Sequence, residues 1–209
     1  MTIMQNIQRE LSGLFVDRKR PARAPIQTVN FRRVETERLI LRVPEMGDYR
    51  DYCALLADPE AFRFSERGPM SGEEVWTRLL RQVGHWSLAG YGLFAVQEKA
   101  TGCIVGEVGF GDFRRGLGPR FDSAPEGGWT IAAGARGHGY ATEAAEAALA
   151  WLDVRLGSRR TVCMIHTQNK ASLRVAHKLG FRAFSEIDYR GYRAMLLERH
   201  GGNGEASAD

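Results

Sequence analysis

Three features of the sequence predict an α+β fold, a mixed α/β sandwich. Alternating apolar stretches pair into a hairpin around Gly102, and a second such hairpin closes the chain. Between them a strand runs through a glycine-punctuated turn, "AAGARGHGYATEAAEAALAWL" at Ala132–Leu152, into a helix built almost wholly of small residues. With 209 residues, 44% of them hydrophobic, the chain is long enough to bury one core of its own.

Taken in order, Ile3, Ile7, Leu11, Leu14 and Phe15 recur at helical spacing, so residues 3–16 read as a short amphipathic helix. That helix is either a peripheral appendage or a packing or homodimer arm. "DRKRPARAPIQ" is a basic linker, which sets the organisation: arm and linker over residues 1–30, one domain over 31–199, and a flexible tail over 200–209. "RLILRV" alternates as a strand. "MGDYRDYCALLADPEAF" is predicted as a helix closed near Pro59, and Ser71 with Glu74 forms a capping box opening "GEEVWTRLLRQVGHWSLA". "YGLFAVQEK" and "CIVGEVGFGDF" are the strands of the first hairpin, and "GGWTIAA" is the strand before the glycine turn. "RTVCMIHT" is the next strand, "KASLRVAHKLG" a helix stopped by Gly180, and "FRAFSEIDYRGYRAMLLER" the closing hairpin. No internal repeat is visible.

Charge narrows the partners. The formal charge is +4, but Arg9, Arg18, Lys19, Arg20 and Arg23 sit in the arm and linker, and the domain is only mildly basic. That argues against a nucleic-acid partner. Cys53, Cys103 and Cys163 stand far apart without CxxC pairing, which argues against a disulfide framework or a zinc site; no metal is expected. No apolar run reaches membrane-spanning length, so no membrane partner is expected, and the cytoplasm is the expected compartment.

The turn Arg136-Gly137-His138-Gly139-Tyr140-Ala141 lacks the Lys of a Walker loop. It has Thr142 where a dinucleotide fingerprint needs its third Gly. What remains is physical. Glycines admit unusual φ and leave backbone N–H groups uncovered, and a helix start from about Thr142 adds more free N–H groups and a positive dipole end. Together they favour an anionic group such as a pyrophosphate, with a tight structural turn as the alternative.

Here the sequence resembles the GCN5-related N-acetyltransferases (GNAT). Arg136, Gly139 and Ala141 match the family's Arg/Gln-x-x-Gly-x-Gly/Ala acetyl-CoA pyrophosphate loop. "ETERLILR" at Glu35–Arg42 and "NKASLRVAHKLGF" at Asn169–Phe181 resemble the RimJ/RimL-like branch, which acetylates ribosomal-protein N-termini. The resemblance spans about residues 34 to 198. It implies a central, mostly antiparallel sheet flanked by helices and splayed between the strand before the loop and the strand that follows it.

By the same resemblance, the pantetheine of acetyl-CoA, the co-substrate, fills that splay along Trp129 to Ile131. Arg136, Gly137, His138, Gly139, Tyr140, Ala141 and Thr142 hold the pyrophosphate chiefly through backbone N–H, and Asn169 reaches the pantetheine, unless it only caps its helix. Many relatives place an acidic Tyr where this chain has Ala176, so Ser172, the Ser of Asn-x-x-Ser, becomes the candidate acid; its alternative is a hydroxyl bonding the first helical turn. Glu126 is the candidate base, with Glu107, His166 or water as alternatives, and a backbone N–H near Ile131 is the candidate oxyanion donor. The implied activity is transfer of an acetyl group to a primary amine, either a protein N-terminus or a small molecule. A non-catalytic acyl-CoA sensor is the competing reading. "RFSERGPMSGEE" and "GDFRRGLGPRFDSAPEGG" are expected to wall the acceptor side.

Overall fold

Antiparallel hairpins at both ends of the chain set the order of the sheet. The computed structural model describes residues 32–64, 68–157 and 159–201. Their strands are β1 (Arg33–Glu35), β2 (Leu39–Arg42), β3 (Leu93–Glu98), β4 (Ile104–Gly111), β5 (Glu126–Ile131), β6 (Thr161–His166), β7 (Arg182–Tyr189) and β8 (Tyr192–Arg199). They form one sheet in the order β1-β2-β3-β4-β5-β6-β8-β7. Only the β5–β6 pair is parallel; the others are antiparallel. A parallel pair needs a crossover, and here it is helix α3 (Tyr140–Leu156).

The other helices are α1 (Tyr49–Leu56), α2 (Gly72–Ala89) and α4 (Lys170–Lys178). The Ser71 hydroxyl accepts from Glu74 N–H while the Glu74 carboxylate accepts from Ser71 N–H, so the capping box opens α2 as its sequence predicts. The helix expected from Met46 and closed near Pro59 is shorter, with 3-10 turns at Met46–Asp48 and Pro59–Phe62 on either side of α1. Asp58 accepts from Glu60 N–H, capping the second turn, and Pro59 has no N–H to carry α1 onward. Strand β1 and a single helical turn at Pro119–Asp122 add to the predicted elements. Both are too short to show a period.

Side chains alternate across the strands and build two layers. On one face α3 and α4 bury Ala144, Ala145, Ala148, Leu173 and Ala176 against Phe94, Val96, Val105, Cys163 and Leu197. The small residues of α3 let it lie close on the sheet. On the other face, α1 and α2 cover Ala95 and Ile104, while Phe121 covers Val162 and Leu196. The middle of that second face lies between those two clusters, at β5. The predicted helix over 3–16, its linker and residues 202–209 lie outside the described residues.

Candidate active site

Strands β5 and β6 meet at a single register position, Glu126 opposite Val162, with Val162 N–H bonded to Pro125 O at 3.0 Å. Beyond that point no pairing joins them. The ladders on either side fix what faces the opening. Ala132 N–H donates to Val105 O at 2.9 Å, so by antiparallel alternation Trp129 and Ile131 turn their N–H and C=O groups away from β4, toward β6. Likewise Thr167 N–H donates to Arg193 O at 3.1 Å, which turns the backbone groups of Met164 and His166 toward β5. Two of these carbonyls are already engaged: Arg136 Nε donates to Ile131 O at 2.9 Å, and Asn169 N–H donates to His166 O at 2.9 Å. The rest is a strand-shaped slot.

The open end of the slot leads to the glycine turn. Gly137 (φ 82) and Gly139 (φ 83) are both left-handed, a conformation that costs a side-chain-bearing residue about 1–2 kcal/mol. Arg136 N–H is used by Ala133 O and Thr142 N–H by Gly139 O. The amides of Gly137, His138, Gly139, Tyr140 and Ala141 between them have no acceptor among the described residues. Five donors thus converge at the positive end of a 17-residue helix.

A clamp holds the turn in this shape. Glu143, in the first turn of α3, accepts from Thr36 Oγ1 (2.6 Å), Arg38 N–H (3.1 Å) and Arg38 Nε (2.7 Å), while Arg38 Nη1 donates to His138 O at 2.9 Å. The Arg136 guanidinium does not face the free amides; its Nη2 donates to Asp58 Oδ2 at 2.8 Å. It braces the loop instead. His138 stacks toward Tyr140, whose hydroxyl donates to Glu98 Oε1 at 2.5 Å. A pocket of about 330 Å³ opens between this loop and the β3–β4 hairpin, lined by Glu98, Cys103, Val105, Ala135, His138 and Tyr140.

Three carboxylates are buried among the described residues: Asp48, Glu107 and Glu126. Asp48 has both oxygens bound by Arg42. Glu107 faces α2 rather than solvent or the slot: Arg78 and Gln82 donate to it and leave neither oxygen free. Glu126 differs. Its Oε2 accepts from Arg115 Nε at 2.6 Å, and no donor among the described residues reaches Oε1. Burial pushes the Glu126 carboxyl above its usual range, and Arg115 pulls it part of the way back.

Glu126 shares its face of β5 with Gly128, where an added Cβ would meet nothing nearer than Leu93 Cδ2 at 3.9 Å. The closed end of the slot therefore has a carboxylate beside open floor. The remaining candidates lie at the opposite end. Asn169 is the N-cap of α4, its Oδ1 accepting from Ser172 N–H at 3.1 Å. Ser172 Oγ has no hydrogen-bond partner among the described residues, so the hydroxyl does not serve the first turn. Ala176 is fully buried in the α4 core face. His166 stacks on Tyr192 (5.5 Å, 14°), and its Nδ1 accepts from Gln168 N–H at 3.0 Å, the environment of a structural imidazole. No contact among the described residues joins Glu126 to Ser172.

Arg115 and the Thr36–Arg38–Glu143 clamp were not legible as site residues. Arg115 is one of three arginines in its loop, and nothing in the sequence says which turns inward. Thr36 and Arg38 had a signal, since both lie in "ETERLILR".

A parallel strand pair opened by a slot, with unengaged amides at its mouth, sets this sheet apart from a continuous one. A family profile described as Acetyltransferase (GNAT) domain matches residues 38–182, and the chain belongs to that family. It is 24% identical over 165 residues to the uncharacterized N-acetyltransferase p20 of Bacillus licheniformis, covering 78% of this chain and 90% of the relative. A putative GnaT-family acetyltransferase from Bordetella pertussis superposes with a TM-score of 0.72 at 34% identity, over 80% of this chain and 98% of that one. RimL, described as a ribosomal L7/L12 alpha-N-protein acetyltransferase in complex with coenzyme A, shares the fold: TM-score 0.66, 17% identity, 79% and 95% of the two chains. Among the described residues no helix is long and apolar enough to cross a membrane, and no three His, Cys, Asp or Glu gather as metal ligands.

Proposed function

We propose that the chain transfers the acetyl group of acetyl-CoA to a primary amine by direct attack within a ternary complex. The observation that carries this reading is the slot: β5 and β6 join at Glu126–Val162 alone and diverge toward five unengaged amides. Pantetheine contains two amides and fits such a slot by adding as a strand to the free N–H and C=O groups of Trp129 and the N–H of Ile131. The pyrophosphate fits the amides of Gly137 to Ala141. RimL, a fold neighbour, is described with coenzyme A bound.

The residues then divide the proton work. The acceptor enters as an ammonium, with a pKa near 10. It loses one proton to solvent, and the amine lone pair attacks the thioester carbonyl as the C=O π pair moves to oxygen. The oxyanion takes a hydrogen bond from a backbone N–H facing the slot near Ile131. Glu126, with Oε1 free, accepts the second nitrogen proton through a water. Collapse of the intermediate re-forms C=O and breaks C–S, and the Ser172 hydroxyl protonates the thiolate, recovering its own proton from Glu126 by way of solvent. Two protons leave nitrogen; one ends on sulfur and one in solvent. Asn169 holds the helix start that presents Ser172.

The acceptor lies over Gly128, walled by the segment Gly111–Glu126; of the other expected wall, Arg63–Glu74, residues 65–67 lie outside the described residues. A protein N-terminal amine is the acceptor we favour, with small amines as the second class. The test pairs the wild-type chain with Glu126→Gln, whose amide oxygen still accepts from Arg115 and keeps the fold. CoA release is followed with a panel of N-terminal peptides and small amines. Wild-type turnover with at least one amine, and a loss of about 10²–10⁴-fold in kcat for Glu126→Gln, is the expected result. Binding of acetyl-CoA with no CoA release toward any amine would make the chain an acyl-CoA sensor instead.

A further inference from the structure

The loop between β4 and β5 carries Arg114, Arg115 and Arg120, and only one of them turns into the slot's closed end. Arg114 is 80% exposed and pairs with Asp112, and Arg120 pairs with Glu198 on the surface. Arg114 also has a left-handed backbone (φ 49), so the chain reverses hand immediately before Arg115. The Asp122 carboxylate then accepts from both Arg115 N–H (3.1 Å) and Gly118 N–H (2.9 Å), wrapping the loop around itself. The Arg115 side chain passes inward between Phe113 and Tyr189, whose ring centroids lie 5.4 and 5.7 Å from its guanidinium carbon. It ends on Glu126 Oε2, and its Nη1 lies 3.4 Å from the Tyr189 hydroxyl.

At the other two buried carboxylates among the described residues, Asp48 and Glu107, an arginine spans both oxygens. Arg42 on Asp48 and Arg78 on Glu107 are two-pronged in this way. Arg115 instead reaches Glu126 through Nε alone and leaves Oε1 open. From this contrast we propose that Arg115 is a positioning residue for the transfer reaction: it fixes Glu126 by one oxygen and couples it through Tyr189 and the Asp122-wrapped loop to the acceptor wall. The proposal rests on Glu126 acting as the base.

The groups that face Glu126 are few. Arg115 and Asp122 come from the loop, Cys163 of β6 acts only from the opposite face of the sheet, and Tyr189 of β7 acts through Arg115. Among the described residues Arg115 is their only cation, and an arginine does not titrate in the working range. Removing it leaves burial and Asp122 to push Glu126 in the same direction, toward the protonated form.

The test begins with a titration that needs no acceptor, on the full chain with ¹³C-labelled glutamate carboxyls, and adds rate profiles with an amine. Glu126→Gln assigns the Glu126 resonance by its disappearance. Wild type, Arg115→Gln, Arg115→Lys and Tyr189→Phe are titrated, with thermal melts and acetyl-CoA binding confirming that each is folded. Arg115→Gln should move the Glu126 midpoint upward by about 1–3 pH units. Arg115→Lys should move it less, because the charge remains while the planar Nε donor is lost. The acidic limb of kcat/KM for the best amine should move with the midpoint, so that a tenfold or larger loss at low pH recovers at high pH. An unmoved midpoint in folded Arg115→Gln overturns the proposal, as does a moved midpoint with a stationary limb. If Arg115→Gln fails to fold, Arg115→Lys and Tyr189→Phe decide by the same two measurements. Full turnover in Glu126→Gln refutes the base itself, a result distinct from either of these.

Discussion

Ser172 presents a hydroxyl that no neighbour binds, while its N–H is satisfied by Asn169 Oδ1. The two roles that its position allows are thereby separated. Replacing Ser172 by Ala removes the hydroxyl and leaves the cap intact, so its stability should stay within about 0.5 kcal/mol of wild type. If the hydroxyl protonates the departing thiolate, kcat should fall by about 10²–10⁴-fold with acetyl-CoA affinity nearly unchanged, because an interaction made only in the transition state costs rate rather than ground-state binding. Steady-state kinetics and one melting curve on the same variant check this; full turnover would assign the proton to water. Asn169→Ala should behave in the opposite way, losing about 0.5–2 kcal/mol of stability with the cap. Glu126 was readable from the sequence as a carboxylate beside the loop strand. Its open oxygen was not, because that depends on an arginine eleven positions away turning inward.

At the scale of elements, the pyrophosphate loop is shaped by its backbone and by a clamp from outside it. Gly139→Val places a branched side chain at φ 83 and should weaken acetyl-CoA binding more than Arg136→Ala, whose side chain braces Ile131 O and Asp58 rather than facing the free amides. Calorimetric titration of both variants measures the order; equal losses would mean that the bracing matters as much as the backbone. The clamp also predicts a pH dependence. Burial raises the Glu143 carboxyl, but its bonds to the Thr36 hydroxyl and to the Arg38 amide and guanidinium outweigh that and hold it below the usual carboxylate range. Its ionised form therefore stabilises the fold above the unfolded value near 4.3, and that contribution is lost as pH falls through the lower folded value. The stability difference between wild type and Glu143→Gln, followed by thermal melts from pH 7 to pH 3, should be largest at neutral pH and shrink toward acid. A constant difference would show that hydrogen bonding alone joins Glu143 to the β1–β2 turn.

For the whole molecule, the slot and the loop form one ligand-shaped surface across the only parallel junction of the sheet. Acetyl-CoA at a hundredfold excess over its Kd should stabilise the chain by about 2.7 kcal/mol, or roughly 5–10 °C in Tm for a domain of this size. NAD and ATP, which lack pantetheine, should give a small fraction of that shift. A thermal-shift screen in which they match acetyl-CoA would exclude the slot as the binding determinant.

The sequence by itself determined the elements and their order. Alternation in "RLILRV" and in the two hairpins, the Ser71–Glu74 box and the small-residue helix after "ARGHGY" are local patterns, and each is enforced by backbone geometry within a few residues. The glycine turn was legible for the same reason, since left-handed φ is a property of single residues. Tertiary structure decided whatever depends on residues distant in the chain. The divergence of β5 from β6 follows from how β4 and β8 hold their outer edges. The burial of Glu107 against α2, the inward turn of Arg115, and the grip of Thr36 and Arg38 on Glu143 each join groups that no local pattern relates. Charge pairing and burial are set by what packs opposite, and that is fixed only when the sheet closes.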